Sequence, residues 1–217
     1  IIDNIKTLII ALIIAVLIRS LLFQPFYIPS SSMEPTLLVG DRIFVSKYTY
    51  GYSKHSFPFS PPILSKRIFY SKPNYGDLIV FKTPADNRTD FIKRLIGLPG
   101  DEIQIIKGEL FINKKKISRT KIGDRSDIRC AGYEHEVFEF KEELPNQEIH
   151  AAVYKKEGSM LNTDVYIVPE KHYFFLGDNR DCSSDSRFLS NVGYVHENNL
   201  VGKAKIIFFS NDTKKGS

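Results

Sequence analysis

The chain has 217 residues, 30 Lys plus Arg against 25 Asp plus Glu for a formal charge of +5, and is 42% hydrophobic. With 16 Phe and 11 Tyr it is too apolar for long disorder, and 2 Cys are too few for a disulfide framework or a four-cysteine zinc site. The basic residues are spread along the chain, so charge alone fits a nucleic acid or an anionic membrane surface equally.

Leu8 to Ile18 is an uninterrupted apolar run, broken at Arg19 and Ser20 and resumed by Leu21, Leu22 and Phe23. At about 1.5 Å per residue, Leu8 to Phe23 makes a helix of roughly 24 Å against a hydrocarbon core of about 30 Å, with Lys6 and Arg19 placed to snorkel. A cleavable leader would need a small-x-small site just after the run, where Gln24-Pro25-Phe26-Tyr27-Ile28-Pro29 stands instead. A helix apolar all round also needs more protein to bury it than one medium domain offers. Residues 1–23 therefore read as an uncleaved transmembrane anchor and residues 24–217 as the domain it carries. Charge bias leaves the orientation open.

Downstream the pattern becomes strand-like. Arg42–Val45, Asp77–Lys82, Asp90–Ile96, Glu102–Ile106, Glu109–Ile112, Asp164–Val168, His172–Leu176 and Gly202–Phe209 are short β-branched and aromatic runs separated by turn signals such as Leu98-Pro99-Gly100-Asp101. They predict a mainly β, barrel-like domain. Tyr52–Lys72 reads as a loop or splayed hairpin, suited to a bilayer interface or to packing on the domain. Asn113–Asn162 is charged and irregular, a small inserted subdomain.

Elimination narrows the chemistry. His55, His135, His150, His172 and His196 show no metal spacing, and H-E-x-x-H, C-x-x-C, the Walker loop, G-x-G-x-x-G and G-x-S-x-G are all missing. Glu134-His135-Glu136 reads as a solvated charged patch. What remains is Pro29-Ser30-Ser31-Ser32-Met33-Glu34-Pro35-Thr36-Leu37, three hydroxyls between prolines that restrict the backbone, flanked by apolar residues. A serine nucleophile without histidine needs a neutral lysine. On a strand Asp90–Ile96, Lys93 lies between Phe91 and Leu95 on one face, with Arg94 on the other. Lowering a lysine from about 10.4 to about 8 takes roughly 3 kcal/mol, within reach of burial. On the strand pattern alone, a lysine snorkelling to a rim is the better reading.

Together these segments resemble bacterial type I signal peptidase, a membrane-bound serine-lysine endopeptidase that removes signal peptides from exported preproteins. The likeness rests on the serine cluster, on Gly76-Asp77-Leu78-Ile79-Val80-Phe81, on Phe91-Ile92-Lys93-Arg94-Leu95-Ile96-Gly97-Leu98-Pro99-Gly100-Asp101, and on Gly177-Asp178-Asn179-Arg180-Asp181-Cys182-Ser183-Ser184-Asp185-Ser186-Arg187. It implies Ser32 as nucleophile and Lys93 as general base, although Ser31 stands where glycine is common and three hydroxyls compete. It implies an oxyanion hole from the Ser32 N–H and the Ser30 hydroxyl, and a Ser183 that bonds and orients the Lys93 amine. Asp185 and Arg187 would be a supporting charge pair, with Gly177 and Asp178 in the turn that places it.

By the same resemblance one pocket for a small side chain is lined by Ile28, Pro29, Met33, Leu37, Phe91 and Ile92, and a second by Phe26, Ile28, Ile43, Val80 and Ile92. Together they would accept an Ala-x-Ala-like cleavage site. The family implies no metal or organic cofactor, preprotein signal peptides and the lipid bilayer as partners, and no nucleic acid. It also implies a monomer near the secretion translocon, anchored in the bacterial cytoplasmic (inner) membrane by the single pass seen here, with the catalytic domain on the extracytoplasmic side. Cys130 and Cys182 read equally as a disulfide or as two buried thiols. The competing readings are a processing peptidase of narrow substrate range and a membrane-tethered β-rich binding module; a self-cleaving repressor would carry a DNA-binding helix-turn-helix in place of the anchor.

Overall fold

The computed structural model describes residues 2–130 and 132–210. Helix α1 (Ile2–Leu21) starts earlier than the apolar run, taking in Asp3 and Lys6, and stops two residues before the predicted boundary. Its 20 residues span about 30 Å, the thickness of a hydrocarbon core. Leu8 and Leu12 are 70% and 63% exposed and Ser20 only 3%, so the described fold covers the last turn of the helix and leaves the rest bare. Pro25 pushes Gln24 into an extended conformation, and the chain passes directly into strand β1 (Phe23–Tyr27). The strand runs read from the sequence do not include it, because Phe23 falls at the end of the apolar run and Pro25 interrupts the alternation.

Strands β2 (Arg42–Ser46), β3 (Leu78–Lys82), β4 (Asp90–Gly97), β5 (Glu102–Ile106) and β6 (Glu109–Ile112) lie within a residue or so of the predicted runs. The stretch read as irregular is instead built of long strands. After the short β7 (Lys115–Lys116) come β8 (Ser118–Cys130), β9 (Tyr133–Glu143) and β10 (Ile149–Lys155). Their residues alternate only between exposed and half-covered along most of β8 and β9, so no apolar period marks them. The run Asp164–Val168 shrinks to β11 (Tyr166–Ile167), and the chain closes with β12 (His172–Leu176), β13 (Val195–His196) and β14 (Leu200–Phe209).

The mainly β class holds. A seven-stranded sheet in the order β1-β2-β14-β3-β4-β12-β13 curls into a half-barrel, beside the sheets β11-β5-β6-β7 and β10-β9-β8. Pro25 has no N–H to give a ladder, and β1 accordingly forms the outer edge of the large sheet. Strand β4 pairs with β3 from Asp90 to Arg94, but with β12 only from Arg94 to Gly97. Asp90, Phe91 and Ile92 therefore keep one open backbone edge.

Alternation along β3 separates two cores: Ile79 and Phe81 pack with Leu95, Tyr173 and Phe175, while Val80 packs with Ile28, Met33, Leu37, Ile43 and Val45. The segment Tyr52–Lys72 is packed on the domain, with Tyr52 bridging to Ile68 and the Arg67 guanidinium donating to the carbonyls of Tyr50, Gly51, Glu197 and Leu200. The sheet β10-β9-β8 is fastened to the rest through a buried ion pair in which both Arg180 and Glu142 are 1% exposed and the guanidinium donates to both carboxylate oxygens at 2.9 and 2.5 Å. Glu142→Ala leaves an unpaired buried cation and is expected to cost about 3–5 kcal/mol, read as a lower denaturation midpoint of the detergent-solubilised chain. An unchanged midpoint would show that this contact does not fasten the sheet.

Candidate active site

Ser32 sits in a single 3₁₀ turn, Ser31–Met33, just past the end of β1. Burial of Met33 beneath it (0% exposed) seats the turn on the core. The loop after β12 holds it from the other side: the Asn179 N–H donates to Ser32 O at 3.2 Å, and its side-chain amide donates to Ser31 O and Arg129 O, both at 3.1 Å. Arg129 N in turn donates to the buried Glu34 carboxylate at 3.1 Å.

Lys93 reaches this turn from β4. Its Nζ lies 2.6 Å from Ser32 Oγ and 3.0 Å from Ile92 O, and the residue is 4% exposed. The amine also lies 5.3 Å from the centre of the Phe91 ring. Burial pulls its pKa down from 10.5 to about 8, against the opposing pull of the Asp185 and Asp178 carboxylates. A neutral amine is thus accessible near physiological pH, at hydrogen-bond distance from a hydroxyl. Ser30 Oγ is 3.3 Å from Ser32 Oγ, and Ser31 enters the site through its carbonyl.

The two carboxylates beside Lys93 each carry their own arginine. Arg94 grips Asp178 with Nε at 2.7 Å and Nη2 at 2.6 Å, donates through Nη1 to Gly76 O at 2.8 Å, and Thr36 Oγ1 donates to Asp178 at 2.5 Å. Asp185 takes Nε and Nη2 of Arg187 at 2.8 and 2.9 Å and the Gly177 N–H at 3.0 Å. The Arg94–Asp178 clamp was not anticipated, since the strand pattern only placed Arg94 on the face away from Lys93.

Ser183 differs from expectation. It is buried close to Ser32, but its Oγ has no hydrogen-bond partner, and the amine's acceptors are Ser32 and Ile92 instead. What brings Ser183 so near is Gly177: a Cβ there would stand 2.2 Å from Ser183 Oγ and 2.5 Å from Ser32 O. Cys130 and Cys182 form a disulfide with Cα atoms 5.4 Å apart, tying the end of β8 to the residue before Ser183.

A cleft of about 580 Å³ opens beside Ser32 and Lys93. Phe26, Ile28, Pro29, Ile43, Val80, Phe91 and Ile92 all line it, as predicted pocket residues. Met33 and Leu37 do not; they lie in the core behind Ile28, Ile43 and Val80, because the 3₁₀ turn points them inward. Thr89, Cys182 and Ser184 line the cleft without having been assigned to it, beside Tyr27 and Asp90 of the two flanking strands.

A sequence profile of the family described as signal peptidase, peptidase S26 matches residues 1–209. The chain belongs to this family. It is 46% identical over 208 residues to the signal peptidase I of Rickettsia conorii, covering 91% of this chain and 75% of that one, and 45% identical over 207 residues to the signal peptidase I of Rickettsia prowazekii, covering 91% and 76%. A crystal structure of a signal peptidase I from Enterococcus faecalis is similar at 26% identity, over 62% of this chain and 98% of that one, with a TM-score of 0.38.

For this S26 family member the geometry makes two expectations. The Lys93 amine, followed through its Cε chemical shift, titrates near 8 and not near the 10.5 of an exposed lysine; a midpoint at the exposed value would mean that water reaches it. Gly177→Ala pushes Ser183 and Ser32 apart and is expected to cost about 1–3 kcal/mol of stability through overpacking, read as a lower denaturation midpoint.

Proposed function

We propose that the chain is a membrane-bound serine endopeptidase that removes signal peptides from preproteins, with Ser32 as nucleophile and Lys93 as general base. The observation that carries this reading is the Lys93 Nζ to Ser32 Oγ contact of 2.6 Å at a lysine only 4% exposed. Neutral Lys93 takes the Ser32 hydroxyl proton as Oγ attacks the scissile carbonyl carbon. The Ser32 N–H and the Ser30 hydroxyl stabilise the negative charge that develops on the carbonyl oxygen. Protonated Lys93 then gives its proton to the departing amine, leaving an ester on Ser32. In the second half, Lys93 deprotonates a water that attacks the ester, and the proton returns to Ser32 as the signal peptide leaves. Ser183, whose hydroxyl has no other partner, rotates to orient the amine during these transfers.

The two open backbone edges support the substrate reading. Phe26 to Ile28 and Asp90 to Ile92 face the same cleft, so an extended peptide adds as a strand between them. Ile28, Pro29, Phe91 and Ile92 then bound the pocket next to the scissile bond, and Phe26, Ile28, Ile43, Val80 and Ile92 the second, with Met33 and Leu37 in the core behind them. Shallow apolar pockets of this kind favour an Ala-x-Ala-like sequence. The helix α1 anchors the enzyme in the bacterial cytoplasmic membrane, and the Cys130–Cys182 disulfide supports an oxidising, extracytoplasmic side for the catalytic domain. In this reading it works as a monomer, close to the secretion translocon, and without a metal or organic cofactor.

The test is cleavage of a preprotein with an Ala-x-Ala site by the detergent-solubilised chain, its Ser32→Ala and Lys93→Ala variants, and Ser30→Ala. The first two are expected to be inactive and Ser30→Ala to lose about 10²–10³ in kcat, the worth of one oxyanion donor. Because the base must be neutral, kcat/KM falls as pH drops below about 8. Cleavage by Ser32→Ala would move the nucleophile to Ser30 or Ser31, and a flat acid limb would remove Lys93 as the base.

A further inference from the structure

A second cavity, of about 570 Å³, lies between the end of α1 and the loop after β2. It meets the substrate cleft at Phe26 and Asp90 but contains none of the three serines and not Lys93. Five cations line it: Arg19, Lys47, Lys54, Lys82 and Arg88. Its two carboxylates are already engaged, Asp90 by Lys82 at 2.8 Å and Asp86 by Thr83, Thr89 and the Arg88 N–H. Among the described residues no carboxylate lies within ion-pair distance of Arg19, Lys47, Lys54 or Arg88.

The floor of this cavity is built from buried polar groups. Lys47 is 2% exposed, and its Nζ spends one hydrogen on Ser56 O at 2.6 Å, leaving two without an acceptor. His55, 4% exposed, shares Nδ1 with Ser60 Oγ at 2.9 Å, while its buried Nε2 has no partner. When Ser60 donates to Nδ1, the neutral ring carries its hydrogen on Nε2, a further buried donor without an acceptor. Burial and then the Arg19 charge pull the Lys47 amine down to about 8, against the opposing pull of the Asp90 carboxylate, which Lys82 already holds. Burying donors this way costs free energy unless an acceptor arrives.

We propose that this cavity binds the phosphate of an anionic membrane phospholipid, held by Lys47 with Arg19, Lys54 and Arg88 around it. The inference rests on α1 being a membrane anchor. Arg19 lies in the last turn of that helix, so the cavity mouth stands at headgroup level, where an acyl chain can run along the uncovered apolar side of α1. Phe59 and Ser60 both turn through the left-handed region, at φ 61° and 50°, and the Phe59 ring at the rim is wholly exposed, as an aromatic group inserted among headgroups would be. An acidic peptide segment fits less well, because it would have to enter from the end of the cleft away from Ser32.

The test titrates the intact chain in neutral detergent micelles with dioctanoyl phosphatidylglycerol, dioctanoyl phosphatidylcholine, inorganic phosphate and an acidic peptide, each by calorimetry. Saturable binding of the phosphatidylglycerol is expected, at least about ten-fold tighter than the other three, the worth of one charge-assisted hydrogen bond. Lys47→Met is expected to weaken it about ten-fold, and Lys54→Ala with Arg88→Ala, which are surface changes safe for folding, to do likewise. Peptide cleavage in lipid-free detergent stays unchanged in all of these variants. Equal lipid affinity in the variants overturns the proposal, as does inorganic phosphate or the acidic peptide binding as tightly as the lipid. Sedimentation of the chain with phosphatidylcholine vesicles reads the anchor separately: a chain left in the supernatant sinks the anchor, whereas the micelle titration reads the cavity alone.

Discussion

A lysine amine kept out of water beside a serine hydroxyl is the constraint on which the rest of the structure depends. Moving such an amine from 10.5 to about 8 corresponds to roughly 3 kcal/mol disfavouring its charged form. Two carboxylates close by, Asp178 and Asp185, work in the opposite direction. Had either been bare, its field in a poorly solvated interior would favour the ammonium and the burial would be wasted. Each is instead matched by a two-point arginine contact, Arg94 on one and Arg187 on the other, so the carboxylates can shape the turn without charging the base.

Position matters as much as charge. Asn179 ties the Ser32 turn to the loop after β12, and Gly177 allows that loop to approach within a distance no side chain would permit. Behind both, the sheet β10-β9-β8 contributes Arg129 to the turn, Cys130 to the disulfide and Glu142 to the buried Arg180. The stretch that reads as a small inserted subdomain thus braces the Ser32 turn and the loop after β12.

How far this was legible varies with the physical signal. Strands β2 to β6 were readable because each is a short β-branched and aromatic run beside glycine or proline turns. The proline-bracketed hydroxyls and the apolar neighbours on β4 made Ser32 and Lys93 candidates, but only the family likeness chose among the three serines and set Lys93 as a base above a lysine snorkelling to a rim. The long ribbon of β8 and β9 was invisible because both its faces are largely wet, leaving backbone pairing without an apolar alternation. The bond between Cys130 and Cys182 and the clamp of Arg94 on Asp178 join segments far apart in sequence, where spacing says nothing. Met33 and Leu37 belong to the pocket only by the family likeness, and their apolar character suits a core position equally.

The anchor and the cleft are mechanically one element. A single residue, Leu22, separates α1 from β1, and the helix end is fastened by Tyr52 donating to Leu21 O and by Lys47 N donating to Leu22 O, each at 2.9 Å. β1 then pairs with β2 along its whole length, from Phe23 opposite Ser46 to Tyr27 opposite Arg42. With no free linker to act as a hinge, tilting the helix must carry the edge of the sheet with it. The same strand that leaves the helix forms one wall of the cleft and delivers Ser32 a few residues later. In the proposed reading the depth of the helix in a bilayer would therefore set the height of the serine above it, and a substrate whose own apolar helix ends at the surface would meet the open edge of β1 without a search for orientation.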